Sequence, residues 1–252
     1  MPTPESEVRE EYSRLSADFR ILVTGAGFDL PEKTWHEIDV IMHGCECLDR
    51  VVDSLPTREA RIRLAAEISN AIAAGRVTKR GTELDFHLLK MGNVFTNTDS
   101  RYRASANVAR IYEISDQLRG VKTRRHYIEL VCEEGRKFLD LFVPILEPHC
   151  PARFLEFFLE LGEVGDLVDK FVDARADYVR DEHPFPPDFL HHLRLLIAVI
   201  RRTPKILRLY PNPLVLIRWA SRYFLPGNHR SAHIPLSAEK RSNRVRSANQ
   251  PC

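Results

Sequence analysis

The sequence predicts an all-α protein, and three observations carry that prediction. Apolar residues recur at steps of three and four along nearly every segment, which is the period of a helix with one buried face. No run alternates apolar and polar residues between turn signals, as a half-buried strand would. Prolines, glycines and capping residues cut the chain into stretches of several helical turns each. At 252 residues the chain can bury a full core, and the expectation is a single-domain antiparallel helical bundle over residues 1–225.

The first helix is expected over about residues 5–21, with Leu15, Phe19 and Leu22 inward, before Gly25-Ala26-Gly27 ends it. Pro31 suits a first helical turn and opens a second helix, which carries Trp35 to Ser54 until Pro56 stops it. Thr57 can cap a third helix, Arg58–Ala74, ended by Gly75. Thr82-Glu83-Leu84-Asp85 resembles a capping box and opens a fourth, through about Phe95. Asp99 or Ser100 is the expected cap of the fifth, which runs to Leu118 and closes at Gly120. A long sixth helix is expected from Arg124 to Leu146, kinked by Pro144 in its last turn. Pro151 starts a seventh, rich in aspartate. The run His183-Pro184-Phe185-Pro186-Pro187 is a break that no helix crosses, and Asp188 can cap a helix from Phe189 to about Arg202. Pro204, Pro211 and Pro213 divide the chain beyond it into short pieces, of which residues 214–224 read as a core helix. Residues 226–252 are polar, basic and poor in large apolar side chains, so a disordered tail is expected.

Charge excludes little. Thirty-seven Lys and Arg against 35 Asp and Glu leave a net +2, which gives no general case for nucleic-acid binding. Five cysteines, an odd set with no signal peptide ahead of them, predict reduced thiols and a cytoplasmic location. The longest apolar runs fall well short of the roughly 20 residues needed to span a bilayer.

The chemistry is expected in two acidic stripes. On the seventh helix Asp169, Asp173 and Asp177 lie at i, i+4 and i+8, extended by Asp166 and Asp181. Like charges at that spacing cost a few tenths of a kcal/mol per pair, so the row calls for interspersed cations or a bound divalent metal. The second helix carries Asp39, Glu46, Asp49 and Asp53 within about a quarter-turn. Two such helices face to face would form an oxygen-rich cleft suited to Mg2+, with a phosphorylated substrate supplying the remaining ligands.

Asp49-Arg50-Val51-Val52-Asp53, the Pro56 break and the later Asp-rich helix resemble the class I isoprenoid synthases, squalene/phytoene-synthase-like and terpene-synthase-like enzymes in particular. Tyr127-Ile128-Glu129-Leu130-Val131 with Gly135 is similar to a Tyr-and-Gly helix of that group. The resemblance implies a helical bundle around a central cavity, in which Asp49, Asp53, Asp169, Asp173 and Asp177 hold Mg2+, with Glu46 and Asp166 as further ligand candidates. It implies an allylic prenyl diphosphate as substrate, ionised for cyclisation or prenyl coupling, with metal and cations stabilising the leaving diphosphate. Arg124 and Arg125 are the cations expected to contact that diphosphate, and Arg222-Tyr223 resembles an Arg-Tyr pair of terpene synthases. Phe86, Phe95, Phe138, Phe142, Phe157 and Phe158 would wall the cavity.

Each stripe taken alone also reads as the solvated face of an amphipathic helix. The alternative function is therefore a non-catalytic helical binding module, which meets a protein or lipid partner, or a membrane surface peripherally, through the Arg-rich apolar segment 206–224. Oligomers are compatible with either reading. His43-x-Cys45-x-Cys47 holds metal-ligand residue types, but steps of two on a helix point apart, which disfavours zinc.

Overall fold

The computed structural model describes residues 4–55, 57–76, 81–179 and 183–224. Among these the chain is all helical: α1 Pro4–Gly25, α2 Glu32–Asp53, α3 Arg58–Ala74, α4 Glu83–Val94, α5 Thr98–Gly120, α6 Arg124–Asp140, α7 Val143–Leu146, α8 Ala152–Val179, α9 Phe189–Leu209 and α10 Pro213–Phe224. The expected tail, 226–252, lies outside the described residues, as does Cys252. None of the described helices is long and apolar enough to cross a membrane.

The helix starts obey local chemistry. Thr57 accepts from the Ala60 N–H, and Thr82 and Asp85 form a reciprocal capping box. Thr123 caps α6 and Asp188 caps α9, each by accepting a backbone N–H three residues on. On α5 the cap is Asn97, whose Oδ1 accepts from the Ser100 N–H, so the helix begins before the expected Asp99 or Ser100.

Two further boundaries differ from expectation, both at proline. The sixth helix does not bend at Pro144 but ends at Asp140, and a separate turn, α7, starts at Val143 with Pro144 in its first turn. The missing proline N–H costs nothing there, because first-turn N–H groups have no intrahelical acceptor. α9, by contrast, runs through Pro204 to Leu209. Pro204 lacks the N–H that would bond the Ile200 carbonyl, and both residues are exposed, so that carbonyl can turn to water; one residue earlier the Thr203 hydroxyl adds a bond to the Val199 carbonyl.

The apolar faces meet in two clusters. The larger joins α1, α2, α3, α4, α5, α7, the first half of α8, the end of α9 and α10 around Phe19, Ile38, Ile41, Phe142, Phe154, Phe157 and Phe158. Phe19 stacks edge-on to Phe158 at 4.4 Å between centroids and lies 5.2 Å from Phe142, which in turn contacts Phe138 at 5.7 Å. Most of the phenylalanines expected to wall a cavity therefore fill the core instead, while Phe86 is exposed beneath the Lys90 ammonium. Two hollows open at the periphery, one of about 420 Å3 between α3 and α4, the other of about 770 Å3 at the ends of α3, α5 and α6. The smaller cluster joins α5, α6, α8 and α9 around Ile114, Tyr127, Val131, Leu167 and Leu195.

α8 connects the two clusters. Its 28 residues extend about 42 Å at 1.5 Å per residue, with the Phe-rich first half in the larger core and the Asp-rich second half in the smaller. It crosses α6 where Gly135 meets Gly162. A Cβ on Gly135 would stand 2.1 Å from the Gly162 carbonyl oxygen, and one on Gly162 would stand 2.3 Å from that of Gly135. Only hydrogens fit there, so the two backbones touch and bring Glu134 of α6 beside Asp166 of α8.

Candidate functional site

The two acidic stripes lie in different surroundings. α2 packs on α1 and α4, whereas α8 packs on α6 and α9. On α2, Asp49 accepts a short hydrogen bond from the Tyr12 hydroxyl and Asp39 one from Ser16, both donors being on α1. Glu46 is buried within 3.4 Å of the His43 ring. The Asp53 side chain lies outside the described residues. The α2 acids Asp39 and Asp49 are thus bound to the neighbouring helix.

On α8 the stripe is split by helix geometry. Each step of four residues turns the wheel about 40°, so the eight residues from Asp169 to Asp177 turn it about 80°. Asp169 is exposed, Asp173 is half-buried and Asp177 is buried, while Asp181 lies outside the described residues. Asp166 and Lys170 fall on Asp177's side of the wheel, against α6. There the Lys170 ammonium reaches Asp177 at 3.5 Å and Asp169 at 3.9 Å. Glu134 accepts a hydrogen bond from the Ser115 hydroxyl of α5, while the Asp166 Oδ2 is buried with no hydrogen-bond partner among the described residues.

This cluster holds Glu134, Asp166 and Asp177 around one lysine. Burial pushes the Asp166 and Glu134 carboxyls up, and each is raised further by a neighbouring acid. Burial alone would push Lys170 down, but Asp166, Glu134, Asp177 and Asp169 outweigh it and hold the ammonium charged. Among the described residues no group of three or more His, Cys, Asp or Glu side chains is arranged to hold a metal ion.

Next to the cluster, Tyr127 is buried against His183 and His191. The two imidazoles meet Nε2 to Nε2 at 2.8 Å, and the His183 Nδ1 accepts from the Phe185 N–H. With Nδ1 an acceptor, a neutral His183 carries its proton on Nε2 and donates to His191, whose proton is then on Nδ1. Burial, then the neighbouring His183, pushes His191 down to about 4.

Two of the cations expected at a diphosphate are held in ion pairs. Arg124 binds Asp188 at 2.8 Å and lies over the Phe185 ring, while Arg125 pairs with Glu129 one turn on. The Arg222 and Tyr223 side chains lie outside the described residues.

A third feature departs from the expectation of an ordinary helix over residues 189–202. From Phe189 to Phe224 there are seven cations (Arg194, Arg201, Arg202, Lys205, Arg208, Arg218, Arg222) and no Asp or Glu. Two turn inward: Arg202 bonds Glu163, and Lys205 bonds Glu156 and Glu160 of α8. The outward side of α9 is apolar. Phe189, Leu196 and Ile200 fall within about 40° on the wheel, and Leu190 and Ile197 border them. Phe189 is 81% exposed and Ile200 59%. Arg194, Arg201 and Arg208 form a parallel row beside them, and Leu214, Ile217 and Arg218 repeat the pattern on α10. No ion pair among the described residues holds those four arginines.

Comparison with protein-family models, with curated proteins and with solved structures found no match.

Proposed function

We propose that the protein is a helical binding module that docks on an anionic lipid surface through the outward face of α9 and α10. The observation carrying this reading is the acid-free segment 189–224, whose outward side combines exposed Phe189, Leu196, Ile200, Leu214 and Ile217 with Arg194, Arg201, Arg208 and Arg218. Apolar residues exposed at helical spacing along one side of α9 mark a contact surface where singly scattered ones would not. Apolar side chains enter the boundary between headgroups and acyl chains while arginines meet phosphates and carboxylates, which is how amphipathic helices lie in an interface. Each cation near an anionic surface contributes about 1 kcal/mol, so four contribute roughly 4 kcal/mol at low salt, with the apolar row adding to that. The helix lies on the membrane and does not span it.

The test is co-sedimentation with vesicles of phosphatidylcholine alone and of phosphatidylcholine with phosphatidylserine. Binding is expected only to the anionic vesicles and should weaken as salt is raised. Ile200→Glu and the pair Arg194→Gln/Arg201→Gln should each release the protein with an unchanged helical spectrum. Retention of full binding by Ile200→Glu, or no binding to anionic vesicles, would sink the proposal. A stable dimer formed through α9 would instead appear in light scattering as doubled mass that Ile200→Glu abolishes, and would equally count against it.

Mg2+-dependent ionisation of a prenyl diphosphate is the second reading. Asp169 and Asp173 favour it, as neighbouring carboxylates at the edge of the α8 cluster that reach toward solvent. It needs them to share one cleft with Asp49, which Tyr12 engages from α1. Incubation with C10, C15 and C20 prenyl diphosphates with and without Mg2+ decides it: turnover lost in Asp173→Ala would favour it over the membrane module.

A further inference from the structure

A second feature, independent of α9, is the larger of the two hollows. Where the end of α5 meets the first turns of α3 and α6, about 770 Å3 is lined by Arg58, Arg61, Asp116, Arg119, Lys122 and His126. Four permanent cations therefore face a single carboxylate. Arg58 grips that carboxylate with two nitrogens: Nε lies 2.7 and 2.9 Å from the two Asp116 oxygens, and Nη2 lies 2.6 Å from Oδ2. Arg61 donates to the Leu55 carbonyl, while Arg119 and Lys122 make no ion pair among the described residues. Other acids stand at the margins. Glu59 lies near Arg58, Glu129 is bound to Arg125 and His126, and Glu134, bonded to Ser115, lies within the field of Arg119.

These groups make the hollow electropositive. Asp116 is held below the usual carboxylate range by its hydrogen bonds to Arg58, with the Arg119 and Arg61 charges adding to the effect. One acid is thus over-compensated, and about three positive charges remain toward the opening. The α6 N-terminus, capped by Thr123, turns its positive end to the same place. Guanidinium groups match tetrahedral and planar oxyanions by paired N–H donors, so a doubly charged oxyanion fits better than a carboxylate, of which the hollow already has one. The hollow is broad and open to solvent, which leaves room for more than the anion itself.

We propose that this hollow binds a phosphate-bearing small molecule. Arg61, Arg119 and Lys122 contact the phosphate, and the Arg58–Asp116 fork forms a fixed wall beside it. The same phosphomonoester chemistry occurs in a soluble metabolite and in a lipid headgroup.

The experiment uses the full chain at constant ionic strength, with calorimetric titration of inorganic phosphate and pyrophosphate. A second arm measures retention on vesicles of phosphatidic acid against phosphatidylserine at matched surface charge. Saturable binding is expected, tighter for pyrophosphate and reduced at least tenfold by Arg61→Gln/Arg119→Gln. Lys122→Gln, on an exposed side chain, should weaken it several-fold and keeps the test open should the double variant fail to fold. Phosphate binding with these losses supports a soluble ligand. Preference for phosphatidic acid that Lys122→Gln removes, without soluble binding, supports the lipid source. Ile200→Glu should leave soluble binding intact, which separates this site from the α9 face. No saturable binding up to about 10 mM of either anion together with no phosphatidic acid preference overturns the proposal, as does binding that all these variants leave unchanged.

Discussion

Replacing Gly135 by alanine perturbs the tightest contact in the fold. The new Cβ would lie 2.1 Å from the Gly162 carbonyl oxygen and 2.7 Å from the Asp166 Cβ, against an ordinary separation of about 3.5 Å between such atoms. The obstacle is backbone, so no rotamer change relieves it, and α6 and α8 must move apart by roughly 1 Å. Overpacking of this kind costs about 3 kcal/mol or more, offset by about 1 kcal/mol from the better helix propensity of alanine. The net loss of about 2 kcal/mol or more lowers the melting temperature by roughly 4–8 °C for a chain of this size. Gly165→Ala on the same α8 is the matched control. A Cβ there meets nothing within 4 Å, so only the propensity gain of about 1 kcal/mol should remain, raising the melting temperature by about 2–4 °C. Thermal denaturation followed by circular dichroism measures both. The reasoning is refuted if Gly135→Ala melts at or above the parent, or if the two alanine variants move together.

The buried charges set further outcomes. Lys170→Met leaves Glu134, Asp166 and Asp177 without their shared cation, and should cost about 3–5 kcal/mol at pH 8 in urea denaturation. Because Asp166 and Glu134 carry raised carboxyls that protonate readily, the deficit should shrink at pH 5, and Asp166→Asn should restore part of it; an equal deficit at both pH values would contradict the cluster. His191 is lowered to about 4, below its unfolded value, so the folded state favours the neutral ring. That contribution is fully present above about pH 6.5 and is lost as pH falls toward 4, the unfolded chain binding the extra proton. Carboxyls held low by arginine, Asp116 and Glu133 among them, lose their contributions at still lower pH. The urea midpoint of His191→Gln should therefore change less than the parent's between pH 7 and 5, and parallel curves would exclude the histidine pair as the cause.

Helix existence is legible in the sequence because it depends on local rules. The caps at Thr57, Thr82 and Asp188 and the stop at Gly75 need only a few residues of context. Pro204 misleads because the outcome for a proline depends on what meets the freed carbonyl, and here the exposed side of α9 tolerates it. The acidic row on α8 is legible as a pattern but not as an environment. Lys170 is one residue from Asp169 and reads as a local partner, yet about 100° of helix turn places it with Asp166 and Asp177 against α6. What decides this is the Gly135–Gly162 crossing, a contact between residues on two helices that no single-helix wheel displays.

The same wheel explains why α9 reads as an ordinary helix, and points to what its outer face requires. An amphipathic helix is normally placed with its apolar side inward, but the inward side of α9 mixes Leu195 and Ala198 with Arg202 and Lys205. Those two cations are drawn in by Glu156, Glu160 and Glu163 on α8, and Glu160 and Glu163 are also held by Arg136 of α6. The packing of α9 on α8 is therefore partly ionic, which leaves Phe189, Leu196 and Ile200 outside without a competing inward position. With Glu156, Glu160 and Glu163 of α8 already matched by inward cations, no ion pair among the described residues holds Arg194, Arg201, Arg208 or Arg218. Neutralising that row while covering the apolar one takes a partner that is both anionic and apolar, and a lipid surface combines the two in one layer.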